Sequence, residues 1–295
     1  MQKHWAFTVI STIIITTPTA THTPEPVRMI ELMTSLLPTL VCGLGVALIS
    51  GYLGVFVIAQ RLSFFSDALA HAALLGISVS FIFALPVNVS FVITALIFAA
   101  LFTYALTHSN ISSDTLIGVL SLSFLAISLL SISLFTDAHV DLEHYLMGSL
   151  STVSWLDAGW VALCGVSAFL FLRLKWNDLI LVTLNEELAQ IEGINPKSLR
   201  LGLTLILALL VAVSIQLIGA LLISALLIIP ASSARQWASS VKHMALLSSV
   251  IACVSVALGV WFSHSMSTPS GPAIVMMTSL AFAISVFANN ARQRR

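Results

Sequence analysis

Long apolar segments recur along nearly the whole chain, separated by short polar breaks. They run Leu36–Ala59, Asp67–Leu85 (closed by Pro86), Val89–Leu106, Leu116–Phe135, Trp155–Leu174, Leu201–Ile229, Ala245–Phe262 and Ala273–Ala288. A helix needs about 20 apolar residues to cross a bilayer, and most of these segments approach or exceed that length. Soluble domains are about 25% charged. This chain is 8% charged and 58% hydrophobic over 295 residues, more apolar surface than a soluble core can hide. The expected fold is an all-α integral membrane protein.

The block Leu201–Ile229 holds 29 residues, long for one crossing, and is interrupted by Gln216 and Gly219. It reads as one span or as a span plus a short, partly inserted helix, giving eight or nine membrane elements. Lys and Arg concentrate in cytoplasmic loops. The tail Arg292–Arg295 and the segment Arg235–Lys242 are basic and two spans apart, so both belong in the cytoplasm. If the long block turns back, Arg61 and the polar segment Lys175–Arg200 are cytoplasmic too, and the acidic loop 136–152 faces outward. A single crossing places Arg173, Lys175, Lys197 and Arg200 outside, so the nine-element version is preferred.

Residues 1–28 stand apart. Lys3 precedes a short apolar run, Trp5 to Ile15, and a Pro-rich polar stretch to Pro26. This is the outline of a signal peptide, or translation starts at Met29. Net charge is zero, and no basic excess points to nucleic acid. Cys42, Cys164 and Cys253 lie far apart inside apolar runs, which is no disulfide framework. No G-x-x-x-x-G-K-[ST] loop occurs. This chain therefore carries no phosphate cradle of that type, and any ATPase driving transport is another chain.

Asp67 and His71 are the strongest candidates for chemistry. Four residues apart on a helix, they share one face, one turn apart. A carboxylate and an imidazole together suit a divalent transition metal, and an ionisable residue entering a membrane is a functional candidate. The bland alternative is a helix start capped by Ser66 or Asp67. The loop with Asp137, His139, Asp141, Glu143 and His144 is a cation-attracting outer vestibule or an ordinary solvated loop. Glu186, Glu187 and Glu192 read as a solvated cytoplasmic face or contacts for a soluble partner. His264 ends a span before the turn Ser267–Pro272, with no nucleophile-elbow context around it. Gly43, Gly45, Gly51 and Gly54 allow close helix packing or line a pore.

Four segments resemble one family. Arg61-Leu-Ser-Phe-Phe-Ser-Asp-Ala-Leu-Ala-His-Ala-Ala-Leu-Leu-Gly76 is similar to the R-M-S-x-F-G-D-x-L-A-H-A-x-L-x-G segment of metal-uptake ABC permeases. Gly219–Ala231 resembles their G-A-L-L-I-x-x-L-L-I-I-P-A, Val140–Gly148 their V-D-L-x-x-Y-L-x-G, and Thr268–Pro272 their T-P-A-G-P. The likeness runs from about Met29 to the C-terminus and is strongest to permeases of high-affinity zinc importers; manganese and iron permeases share the pattern. It implies an ABC importer permease domain over 29–289, a basic cytoplasmic tail over 290–295, and an extension over 1–28. It implies a bacterial inner-membrane protein with a second permease copy, a separate ATP-binding ATPase subunit and an extracytoplasmic metal-binding protein as partners. The cargo implied is zinc, or manganese or iron, with no cofactor held by this chain and no enzymatic step in it. Asp67 and His71 are then metal-pathway residues, and the segment after Pro230, with Arg235 and Lys242, is the short coupling helix that docks on the ATPase. The pattern departs at Ser66, Ser149 and Ser267, and at Leu122, where the family carries His. The rival of a different class is a secondary transporter driven by an ion gradient.

Overall fold

The computed structural model describes residues 25–135, 154–266 and 268–293. The chain divides into two compact units, residues 1–37 and 38–295, and every contact described below lies in the second. Ten helices are described: α1 (Glu25–Ala59), α2 (Phe65–Phe83), α3 (Val87–His108), α4 (Ser113–Phe135), α5 (Trp155–Leu184), α6 (Glu186–Ile191), α7 (Pro196–Ile218), α8 (Ala220–Arg235), α9 (Val241–Met266) and α10 (Ser270–Gln293). Eight are long and apolar enough to cross a membrane; α8 is the shorter apolar helix. In hydrocarbon the backbone has no water to bond, so each segment satisfies its polar groups internally as a helix.

The boundaries follow local chemistry. Ser154 and Asp157 form a reciprocal capping box that starts α5. Asn185 accepts from the Leu188 amide to start α6, and Asn195 accepts from the amides of Lys197 and Ser198, with Pro196 beginning α7. Helix α5 runs ten residues past its expected end at Leu174. Its 30 residues reach about 45 Å against a hydrocarbon core of about 30 Å. The polar stretch from Lys175 is thus helix continued into water, with Lys175 paired to Asp178 at 3.1 Å.

The long apolar block does divide in two, at Gly219, whose φ of 82° and ψ of 158° suit a residue without a side chain. Three contacts give the direction of α8. The start of α3 (Asn88), the start of α5 (Asp157) and the end of α7 (Gln216) line one small cavity of about 200 Å³, so those three ends share one side. The short connections 60–64 and 84–86 put the end of α1 on the opposite side. A Cβ on Gly54, five residues before the end of α1, would collide with the carbonyl oxygen of Leu227 in mid-α8. Helix α8 therefore turns back toward the side where α1 ends, as the nine-element reading requires. Arg61, Lys197, Arg200, Arg235, Lys242 and Arg292 then lie on one side, which makes it cytoplasmic.

Helix α2 packs on α3, α4, α7 and α8. Phe65 meets Phe98 and Phe102 with ring centroids 5.8 and 5.1 Å apart, and Phe98 meets Phe124 edge-on at 5.0 Å. The threonine hydroxyls of α3 and α7 join at Thr103–Thr204, 2.8 Å. Helix α1 approaches α9 so closely that a Cβ at Gly51 would lie 2.5 Å from the Ser249 Cα. The glycines of α1 thus serve close packing. Gly51→Ala is expected to destabilise the purified protein by about 1–3 kcal/mol through overpacking, read as a lower thermal midpoint in detergent. Gly118→Ala, which meets nothing within 4 Å, should leave that midpoint in place.

Candidate metal pathway and coupling surface

Asp67 and His71 sit in the first two turns of α2, at its cytoplasmic end. The capping alternative fails: the N-cap is Phe64, with no side-chain cap bond, and Ser66 is buried without a hydrogen-bond partner among the described residues. Asp67 is exposed and His71 half-buried. Among the described residues Asp67 makes no hydrogen bond or ion pair, and it is not paired with His71. The carboxylate is therefore available as a ligand.

The imidazole is oriented from α4. His71 Nδ1 lies 2.7 Å from Ser121 Oγ, and Ser128, one turn pair further along α4, donates to the His71 carbonyl at 3.3 Å as well as to Phe124 O at 2.6 Å. With Nδ1 engaged, Nε2 is the ring nitrogen without a protein partner among the described residues. A metal on Nε2 requires Nδ1–H to donate to Ser121, and a hydroxyl accepts that bond as readily as it donates to a bare Nδ1 when the site is empty. A carboxylate partner would hold Nδ1–H permanently and strengthen metal binding. A hydroxyl gives a weaker hold. The motif around α2 says nothing of this partner, because Ser121 is 50 residues away; it precedes Leu122, where the family His is missing. Two donors are half of a tetrahedral zinc set, and among the described residues no third His, Cys, Asp or Glu joins them.

His139, Asp141, Glu143 and His144 lie outside the described residues, as does Ser267. His264 is exposed at the end of α9, apart from α2. Glu186 pairs with Arg200 at 3.0 Å, tying α6 to α7, while Glu187 and Glu192 are exposed.

The segment after Pro230, expected as the short coupling helix, is helical to Arg235 as the end of α8. Pro230 lies inside α8, which continues to Arg235, followed by the turn 236–240. As a proline inside a helix, Pro230 leaves the Leu226 carbonyl without its amide donor, yet α8 continues through it. The turn is held from α10: Trp237 Nε1 donates to Ser285 Oγ at 2.7 Å, Ser285 donates to Ser233 O at 2.9 Å, and Asn289 donates to Gln236 at 3.0 Å. Arg235, Gln236, Ser239 and Ser240 are exposed, so the end of α8 presents a rigid basic corner to the cytoplasm. Lys242 is exposed in the first turn of α9.

Among the described residues, eight long apolar helices, a short one that carries the chain back after the sixth, an acid–histidine pair on one span and a basic cytoplasmic corner make a multi-pass membrane bundle. Comparison with known proteins places it. The family model described as the ABC 3 transport family matches residues 32–289. The chain is 32% identical to the high-affinity zinc uptake system membrane protein ZnuB of Haemophilus influenzae, over 85% of this chain and 97% of that protein. It is also 32% identical to the manganese import system permease protein ScaB of Streptococcus gordonii, over 84% of this chain and 89% of that one. A solved structure of PsaBC from Streptococcus pneumoniae in complex with Fab matches with a TM-score of 0.76 and 30% identity, covering 88% of this chain and 95% of that one. The chain belongs to the ABC 3 transport family, and with it to the multi-pass inner-membrane permeases of metal-uptake ABC importers.

If Ser121 orients the ligand imidazole, Ser121→Ala should weaken metal binding by roughly 10-fold, read by titration of the purified complex. Ser121→Thr, which keeps the hydroxyl, should restore most of it. Equal affinity in Ser121→Ala would make the bond a packing contact only.

Proposed function

We propose that this permease carries zinc inward across the bacterial inner membrane, with Asp67 and the Nε2 of His71 as a transient stop for the ion. The observation that carries the proposal is the α2–α4 arrangement: an unpaired carboxylate one turn from an imidazole whose Nδ1 is held by Ser121. Imidazole with carboxylate suits zinc, whereas manganese favours harder, oxygen-rich sites. The likeness to ZnuB points the same way; the equal likeness to ScaB keeps manganese, or iron, as the second reading.

The ion reaches the chain from an extracytoplasmic binding protein, through an outer vestibule to which His139, Asp141, Glu143 and His144 contribute. A second copy of the chain, related by a two-fold axis, would present its own acid–histidine pair and complete four donors. Weak holding is an advantage, because a conducted ion must leave as readily as it enters. ATP is bound and hydrolysed by a separate ATPase chain that docks at Arg235 and the turn 236–240, with Pro230 just inside α8 and Lys242 just beyond the turn. Helix α8 packs directly on α2, so a displacement of the docked corner reaches the helix that carries Asp67 and His71. Such a displacement is how closure of the ATPase would switch access to the site.

Asp67→Ala and His71→Ala are each expected to abolish metal uptake while the permease still co-purifies with its ATPase; normal uptake in both variants would remove them from the pathway. Zinc should stimulate ATP hydrolysis by the reconstituted complex more than manganese or iron does, and the reverse order would move the assignment to the other metal. Uptake by the permease alone in liposomes would favour a gradient-driven carrier. Arg235→Glu places a carboxylate on the docking corner and should lower the ATPase recovered with the permease, measured against wild type in the same pull-down.

A further inference from the structure

A long groove runs between α1 and α5 on a face that the metal pathway does not use. Toward the outer side it is wholly apolar: Val41, Gly45, Val161 and Phe169 are among its walls, enclosing about 410 Å³. Leu48, Ile49, Gly165 and Phe169 continue it without a break into a second cavity of about 590 Å³. There the walls change character. Tyr52, Arg173, Trp176, Asn177 and Lys242 line the inner part.

The position of the change is informative. Trp155 begins α5 on the outer side, and a hydrocarbon core of about 30 Å is spanned by about 20 helical residues. Arg173 and Trp176 therefore fall at the inner membrane boundary, and Lys242, in the first turn of α9, lies at the same level. The apolar part of the groove lies in the hydrocarbon, and the basic part at the level of the cytoplasmic headgroups.

The basic end is unbalanced. Arg173 and Lys242 make no ion pair among the described residues, whereas Lys175 and Arg200 nearby each have a carboxylate partner. No Asp or Glu lines the cavity. Trp176 is 8% exposed, and its indole N–H is buried with no hydrogen-bond partner among the described residues. The ring is fixed between Tyr52 and Phe56, with centroids 5.3 and 5.2 Å away. A buried donor left without an acceptor is costly, and here it belongs to a ring that lines the cavity with Arg173 and Lys242.

We propose that this groove binds an anionic phospholipid of the cytoplasmic leaflet. One acyl chain lies in the apolar channel between α1 and α5. The phosphate sits at the basic end, where it accepts from Trp176 Nε1 and faces Arg173 and Lys242. Charge decides between this occupant and others: an apolar helix would leave both cations and the indole N–H unanswered, and a zwitterionic lipid answers them less well. The lipid links α1, α5 and the start of α9, next to the ATPase-docking turn, and its binding does not depend on which ion is carried.

The test uses the permease–ATPase complex reconstituted in mixed phosphatidylcholine and phosphatidylglycerol nanodiscs, then analysed for retained lipid by native mass spectrometry. Wild type should retain phosphatidylglycerol over phosphatidylcholine. A cation facing an anionic headgroup is worth roughly 5-fold in affinity, so Arg173→Gln/Lys242→Gln should lower retention by roughly 30-fold. Trp176→Phe keeps the ring and removes the donor, and should lower retention by roughly 2–10-fold. Lys175→Gln, whose cation is already paired, should retain as wild type does. Unchanged retention in the double variant, an equal loss in Lys175→Gln, or no preference for phosphatidylglycerol would overturn the proposal. So would Phe169→Cys joining two permease copies by a disulfide, since the groove would then be an interface.

Discussion

The reversal of the chain at Gly219 is the constraint on which the rest of the second unit depends. A glycine there lets α7 end at the outer side and α8 start back at once. Without the reversal, the basic segments before and after it would lie on opposite sides of the membrane. Close packing makes the reversal firm: the Leu227 carbonyl lies against Gly54, and Ser249 against Gly51, leaving no room for side chains on that face of α1. In a bilayer, where burying apolar surface contributes little to helix association, such backbone approach and interhelical hydrogen bonds hold the bundle together.

The same helix links the basic corner to the helix that bears the acid–histidine pair. At its C-terminus α8 carries the basic corner held by Trp237 and Ser285. Along its side it packs on α2, which bears Asp67 and His71. The polar contacts at Asp67 and His71 are few: the Ser121 hydroxyl of α4 meets the imidazole, and that of Ser128 meets the His71 backbone carbonyl.

Much of the fold was legible in the chain. The spans are visible because a helix in hydrocarbon needs about 20 apolar residues in succession, and that demand is written locally. The break at Gly219 was legible too, from an apolar block too long for one crossing. The continuation of α5 past Leu174 was not: Arg173, Lys175 and Asp178 look like the end of a span, but helix formation needs only a satisfied backbone and continues in water when the tertiary bundle supports it. The extent of the helix around Pro230 was not legible for a related reason. The apolar block ends at Ile229, yet Pro230 sits inside α8 and the turn comes at 236–240.

For the candidate site, the sequence by itself determined an acid and an imidazole one turn apart on the face of an apolar helix, a consequence of helical periodicity alone. Only the tertiary structure decided which ring nitrogen is free, because Ser121 arrives from another helix 50 residues on. It also decided that Arg173, Trp176 and Lys242 surround one cavity, although α5 and the start of α9 are far apart in the chain. Spacing along one helix is fixed by the covalent chain and hydrogen bonding within it. Contacts between helices depend on how small residues let backbones approach, and that is settled when the bundle packs.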